Sequence, residues 1–103
     1  MGALEGVRVL EISVGQVGPL ACEVLALLGA EVIRVESLRR LDITRLHKDP
    51  FTHATKGMNN PGFNMYNCNK LSIQLNLSTP QGLQLAKKLV QVSDILLENF
   101  SAG

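Results

Sequence analysis

Tryptophan is absent, and aromatic residues make up only 4% of the chain. A surface that stacks nucleic-acid bases needs such rings, so that class of function is disfavoured. Charge of one sign is scarce too. Ten Lys and Arg against nine Asp and Glu leave a net +1, with neither a basic patch for a polyanion nor an acidic tail. Long apolar runs are missing. The longest, Val24–Leu28, is far too short to span a bilayer. No basic segment precedes an apolar run at the start, so no signal peptide is visible; Gly6 stands where a myristoylation signal needs Ser or Thr. Cysteine is limited to Cys22 and Cys68, too few for a disulfide scaffold, which points to reduced thiols and a cytoplasmic setting. His47 and His53 have no Cys or carboxylate at metal-ligand spacing, so no zinc site is expected. Dinucleotide and P-loop glycine spacings both fail at Gly15–Gly18.

What is present is an apolar fraction of 46% in 103 residues, enough for one small domain. Val7–Ile12 reads as a buried strand. A loop with Gly15 and Gly18 follows, and Pro19 suits the first turn of a helix ending at Gly29. Only Glu23 is polar in that helix, which predicts burial nearly all round. Ala30–Glu36 reads as a second strand, making a right-handed βαβ unit. Ser37–Lys70 is polar and longer than structureless loops usually are, with room for short helical turns. Leu71–Leu77 alternates as a third strand, Thr79 and Pro80 open a second amphipathic helix, and Asp94–Phe100 reads as a fourth strand. No internal repeat is visible. The expected fold is α/β: an open, parallel, Rossmann-like sheet with helices packed on it.

Ligands of such sheets sit beyond the carboxyl ends of the strands. Those ends carry "SVGQVGP", "ESLRR", "NLSTP" and "ENFSAG". Gly15–Gly18 is either a plain tight turn or a set of backbone N–H groups aimed at a phosphate or carbonyl. Arg39, Arg40, Arg45 and Lys70 are either a solvated basic face or contacts for an anion. Cys22 reads as core, and Cys68 has no base placed for it. These residues point to a small anionic molecule without naming a reaction.

Four segments, "LEGVRVLEIS…GQVGP", "LGAEVIRVE", "YNCNKLSIQLNLSTPQG" and "SDILLENFSAG", stand in the order and spacing of the start of class III CoA-transferases. The chain resembles that CaiB/BaiF family over nearly its whole length, with motifs closest to formyl-CoA transferase-like members. The resemblance implies that Gln16, Val17, Leu75, Asn76, Leu77, Ser78, Asn99, Phe100 and Ser101 line a coenzyme A pocket. It departs at Ser37, where the family often has Arg, leaving Arg39 or Arg40 to meet phosphate. It departs also at Ser78, often Lys, and at Val14, often His.

The family moves CoA between carboxylic acids through an aspartyl anhydride and thioester. The aspartate matches no acidic residue here and is expected beyond Gly103. No catalytic residue and no metal is therefore expected in residues 1–103, which read as the N-terminal, truncated CoA-binding part of such an enzyme. The substrates implied are an acyl-CoA and a carboxylic acid, with no nucleic acid or membrane. Full-length family members are interlocked homodimers, so this chain is expected to need its remainder. The alternatives are a stand-alone or remnant CoA-binding module without catalysis, or part of an α-methylacyl-CoA racemase-like enzyme.

Overall fold

Val9, Val32, Ile33 and Val35 are β-branched, and they populate two central strands, β1 (Arg8–Ile12) and β2 (Glu31–Glu36). The structure is a computed structural model that describes residues 2–46 and 60–101. Between the two strands runs helix α1 (Val17–Leu27). It begins two residues before Pro19, which falls in the first turn, where backbone N–H groups lack helical partners anyway. Gly29 ends it from the C′ position with φ +107, a left-handed conformation that glycine adopts without strain.

Beyond β2 come two short helices, α2 (Ile43–Leu46) and α3 (Pro61–Met65). They occupy part of the polar section, where the sequence left room for short helical turns. Asn60 caps α3 by accepting the Gly62 N–H. His47 and His53 lie outside the described residues. Strand β3 (Leu71–Gln74) follows, then helix α4 (Pro80–Gln91) and strand β4 (Ile95–Glu98). Thr79 caps α4 by accepting the Gly82 N–H, with Pro80 at the first helical position as expected.

All strand pairs are parallel, in the order β3-β2-β1-β4. The chain steps outward from β1 to β3, then crosses back to place β4 on the other side of β1. The order reverses at the β1–β4 gap, which is where open α/β sheets form their crevice. Right-handed crossovers in the two directions put α1 and α4 on opposite faces.

On the α1 face, Val9, Cys22, Ala26, Ala30 and Val32 form a buried cluster, flanked by Leu4, Val7, Leu25 and Leu97. On the other face Leu10 and Val35 are also buried.

Two expectations are corrected. Helix α1 is not buried all round: Val17, Leu20, Val24 and Leu27 are exposed, because the sheet covers only its inner stripe. Strand β3 stops at Gln74 instead of Leu77. Leu75 N–H makes the last ladder bond, to Glu36 O, and then Asn76 turns the chain. Its side chain accepts the Ser78 N–H and its carbonyl accepts the Thr79 N–H and hydroxyl.

Candidate functional site

The carboxyl half of the α1 face is built from charge. In the β1–β2 register Glu11 stands beside Arg34, one position pair beyond Leu10 and Ile33. Both side chains are buried. Arg34 Nη1 donates to Glu11 Oε1 at 2.9 Å, and Arg34 Nη2 pairs with Asp42. Lys70 Nζ lies 2.9 Å from Glu11 Oε2 and donates to Pro19 O at 2.8 Å. Arg45 Nε meets Glu36 Oε2 at 2.7 Å, and its guanidinium lies 3.4 Å from the Phe63 ring centroid. Ser13 donates to Glu11, and Asn67 accepts from both Arg34 and Lys70. Three carboxylates thus face three cations. Buried charges are tolerable only with such pairing, since each ion loses its hydration.

Above this layer the loops that follow β1, β2 and β4 are tied together. Val14 N–H donates to Asn99 Oδ1, and Asn99 Nδ2 donates back to Val14 O, both at 2.9 Å. A Cβ on Gly18 would lie 2.6 Å from Ser13 Cβ and 3.0 Å from Asn99 Cγ, so α1 can start this close only with glycine there. Gly15 N–H donates to both oxygens of Asp42. Ser37 pairs with Arg40 across a tight turn, and the Arg40 guanidinium lies 5.7 Å from the centroid of the Phe100 ring.

These loops enclose a cavity of about 290 Å³. Its walls come from Ile12–Val14, Arg34–Ser37, Arg39, Arg40, Asp42, Leu75–Ser78 and Phe100. All four strand ends contribute, with apolar walls and two arginines from one loop. That mixture suits a ligand with an apolar body and an anionic end.

Among the described residues, three titratable groups are displaced. Burial pushes the Asp42 carboxyl up. Hydrogen bonds from the Thr44 hydroxyl and N–H, the Arg34 charge and the Gly15 N–H outweigh it and hold the group below the usual carboxylate range. Burial, reinforced by Glu11, raises the Cys22 thiol to about 12. Cys68 is exposed, and its pKa is raised, first by its hydrogen bond with Glu23. Neither thiol is primed as a nucleophile, and both are free.

Of the residues singled out from sequence, Arg39, Leu75, Asn76, Leu77, Ser78 and Phe100 converge on the cavity. Gln16 and Val17 form the cap and first residue of α1, exposed and off the cavity wall. Asn99 braces Val14, and Ser101, exposed, lies just beyond Phe100; neither lines the cavity. Arg45 and Lys70 turn into the buried charge layer, so they do not form a solvated basic face. That layer was missed from sequence, although Glu11 and Arg34 each interrupt an otherwise apolar strand. Among the described residues no group of three His, Cys, Asp or Glu could hold a metal, and no helix is long and apolar enough to cross a membrane.

A sequence model of the family described as CoA-transferase family III matches residues 4–103. The formyl-CoA:oxalate CoA-transferase of Streptomyces avermitilis is 42% identical over 103 residues, covering 98% of this chain and 24% of that protein. The succinate–glutarate CoA-transferase of Agrobacterium fabrum is 38% identical over 99 residues, covering 94% and 25%. Among solved structures, a CaiB/BaiF family protein from Brucella suis matches with a TM-score of 0.84 at 34% identity, covering 96% of this chain and 26% of that one. The hypothetical protein Rv3272 from Mycobacterium tuberculosis matches with a TM-score of 0.81 at 34% identity, covering 97% and 26%. The chain therefore spans about a quarter of the length of these relatives. With the match running from Leu4 to the last residue and the fold in agreement, this chain belongs to CoA-transferase family III.

Proposed function

We propose that this chain supplies the CoA-binding part of an acyl-CoA transferase, which moves CoA between carboxylic acids. The observation that carries the reading is the cavity at the carboxyl ends of all four strands, walled by Leu75–Ser78 and Phe100 and bearing Arg39 and Arg40. The arginines suit the phosphates of CoA, and the apolar wall suits its uncharged remainder. The relatives named for oxalate, succinate and glutarate support a small carboxylic acid as the acceptor class.

The nucleophilic aspartate of this reading lies outside residues 1–103. The described carboxylates are in keeping with that, because the best placed of them are already engaged. Glu11, Glu36 and Asp42 are held in buried ion pairs, Glu23 accepts the Cys68 N–H, and Asp94 accepts the Arg8 N–H. The reading carries with it a homodimeric assembly and a cytoplasmic site of action. The exposed apolar stripe of α1 and the two free thiols are compatible with these.

Calorimetric titration of the chain with CoA, NAD and ATP tests the binding, and a transferase assay with acyl-CoA and free acids tests the chemistry. CoA is expected to bind in preference to the other two, with no turnover by the chain alone. Equal binding of NAD, or no binding of CoA, overturns the site. Turnover, or an enzyme-bound acyl group, overturns the division of labour.

A further inference from the structure

Asp42 sits where two of the cavity loops meet. Its carboxylate accepts the Gly15 N–H, at 3.2 Å to each oxygen, from the loop that leaves β1. It accepts the Thr44 N–H at 2.9 Å and the Thr44 hydroxyl at 2.7 Å, at the start of α2. It pairs with Arg34, which rises from β2. The side chain is fully buried. The short segment between β2 and Asp42 carries Arg39 and Arg40, so its far end is fixed by this one carboxylate.

An ionised carboxylate can satisfy all four donors with acceptor lone pairs alone. An amide of the same shape cannot, because its NH₂ would be turned toward groups that themselves donate. The near end of the segment is fixed separately, by the Ser37–Arg40 pair and by the Arg39 N–H donating to Ser37 Oγ. Arg40 then meets the Phe100 ring across the cavity. Engaging a guanidinium through its flat face leaves its in-plane N–H donors directed at other acceptors.

We propose that Asp42 is a positioning residue. It fixes the Arg39–Arg40 segment against the Gly15 loop, so that the anion-recognising end of the cavity is formed before any ligand arrives. The ligand class is a phosphorylated molecule, read through Arg39 and Arg40. Its identity as CoA rests on the function proposed above; the loop geometry does not.

The test combines two readouts on wild type, Asp42→Asn, Asp42→Glu and Thr44→Val. Amide hydrogen exchange without ligand reports the loops, and CoA titration over a salt series reports the anion contact. Asp42→Asn is expected to speed exchange at Gly15 and to shift the Arg39 and Arg40 amides with it. It is expected to weaken CoA binding about tenfold at low salt and to flatten the salt dependence, because charge-assisted contacts are the ones lost. Asp42→Glu keeps the charge but displaces it, and is expected to show the same pattern in milder form; it decides the matter if Asp42→Asn does not fold. Thr44→Val removes one donor and is expected to change affinity less than about threefold.

Unchanged exchange at Gly15 and Arg40 in Asp42→Asn overturns the proposal. So does weaker binding with the wild-type salt slope, which would mark a general structural loss. If wild type binds no CoA while Asp42→Asn still releases both loops together, the CoA assignment fails and the positioning role stands.

Discussion

One face of the sheet has two halves with opposite chemistry. Toward the amino ends of β1 and β2, Val9 and Val32 pack on Cys22, Ala26 and Ala30 of the α1 side. One pleat further along the same strands, Glu11 and Arg34 replace them, with Asp42 and Lys70 closing over the pair. The apolar half is held by burial, which is nondirectional and tolerant of small shifts. The charged half is held by paired donors and acceptors, which fix direction and leave strong donors beneath the cavity. Stability and site therefore share one face, divided at one two-residue step along the strand.

Breaking the charged half should cost most. Arg34→Met removes the cation shared by Glu11, Glu36 and Asp42, and is expected to lose about 3–5 kcal/mol of stability in urea unfolding, because buried Asp42 is left without a cation and Glu11 and Glu36 keep only Lys70 and Arg45. A loss under about 1 kcal/mol would show that the layer is hydrated and carries little.

The halves should also differ toward acid. The Asp42 pKa is lowered in the folded chain, so its contribution is present above the unfolded carboxylate value, near 3.9, and is lost as pH falls below that through the folded value. Urea midpoints are expected to drop below about pH 4 in wild type. In Asp42→Asn that component of the drop should vanish. The Cys22 thiol works in the other direction. Its pKa is raised to about 12, so the stability it contributes is complete below the unfolded value of 9.0 and is lost as pH climbs from there toward 12.

Val9→Ala in the apolar half is expected to cost about 2 kcal/mol, from lost transfer energy and a cavity, with the acid dependence of wild type unchanged. A changed acid dependence in this variant would mean that the two halves are not separable. Cys22 and Cys68 sharpen the same contrast: at pH 8, alkylation is expected to modify Cys68 slowly and Cys22 only on unfolding. Mass spectrometry of the native chain reads both.

The smallest effect concerns the cavity wall above the charged half. Ser37 lines it, and Ser37→Arg is expected to tighten CoA binding by about 1 kcal/mol through one added charge-assisted contact. Unchanged affinity would mean that Arg39 and Arg40 already saturate the anion.

The apolar half was legible in the sequence because β-branched runs and Gly29 act locally, as Thr79 and Pro80 do at the start of α4. The charged half was not. Glu11 and Arg34 are 23 positions apart, and only the β1–β2 register sets them side by side. Lys70 and Arg45 read as surface cations for the same reason: their partners arrive from other elements. The alternation of Leu71–Leu77 concealed the turn because it registers side-chain polarity, whereas Asn76 acts through its backbone carbonyl and side-chain oxygen. The exposure of the outer stripe of α1 could not be seen either, since an all-apolar helix does not say which neighbours cover it. The strand-end rule pointed to the loops that wall the cavity, and the family resemblance named six of the wall residues, yet neither could tell a wall residue from a brace such as Asn99.

The most direct measurement is an NMR titration of the ¹⁵N-labelled chain with CoA, followed at backbone amides. Saturable shifts are expected at Ser37, Arg40, Asn76 and Phe100, around the cavity above the charged half. The opposite end of the sheet, at Arg8, Glu31 and Asp94, should stay still. Shifts centred on that opposite end, or none that saturate, would contradict a CoA site at the carboxyl ends of the strands.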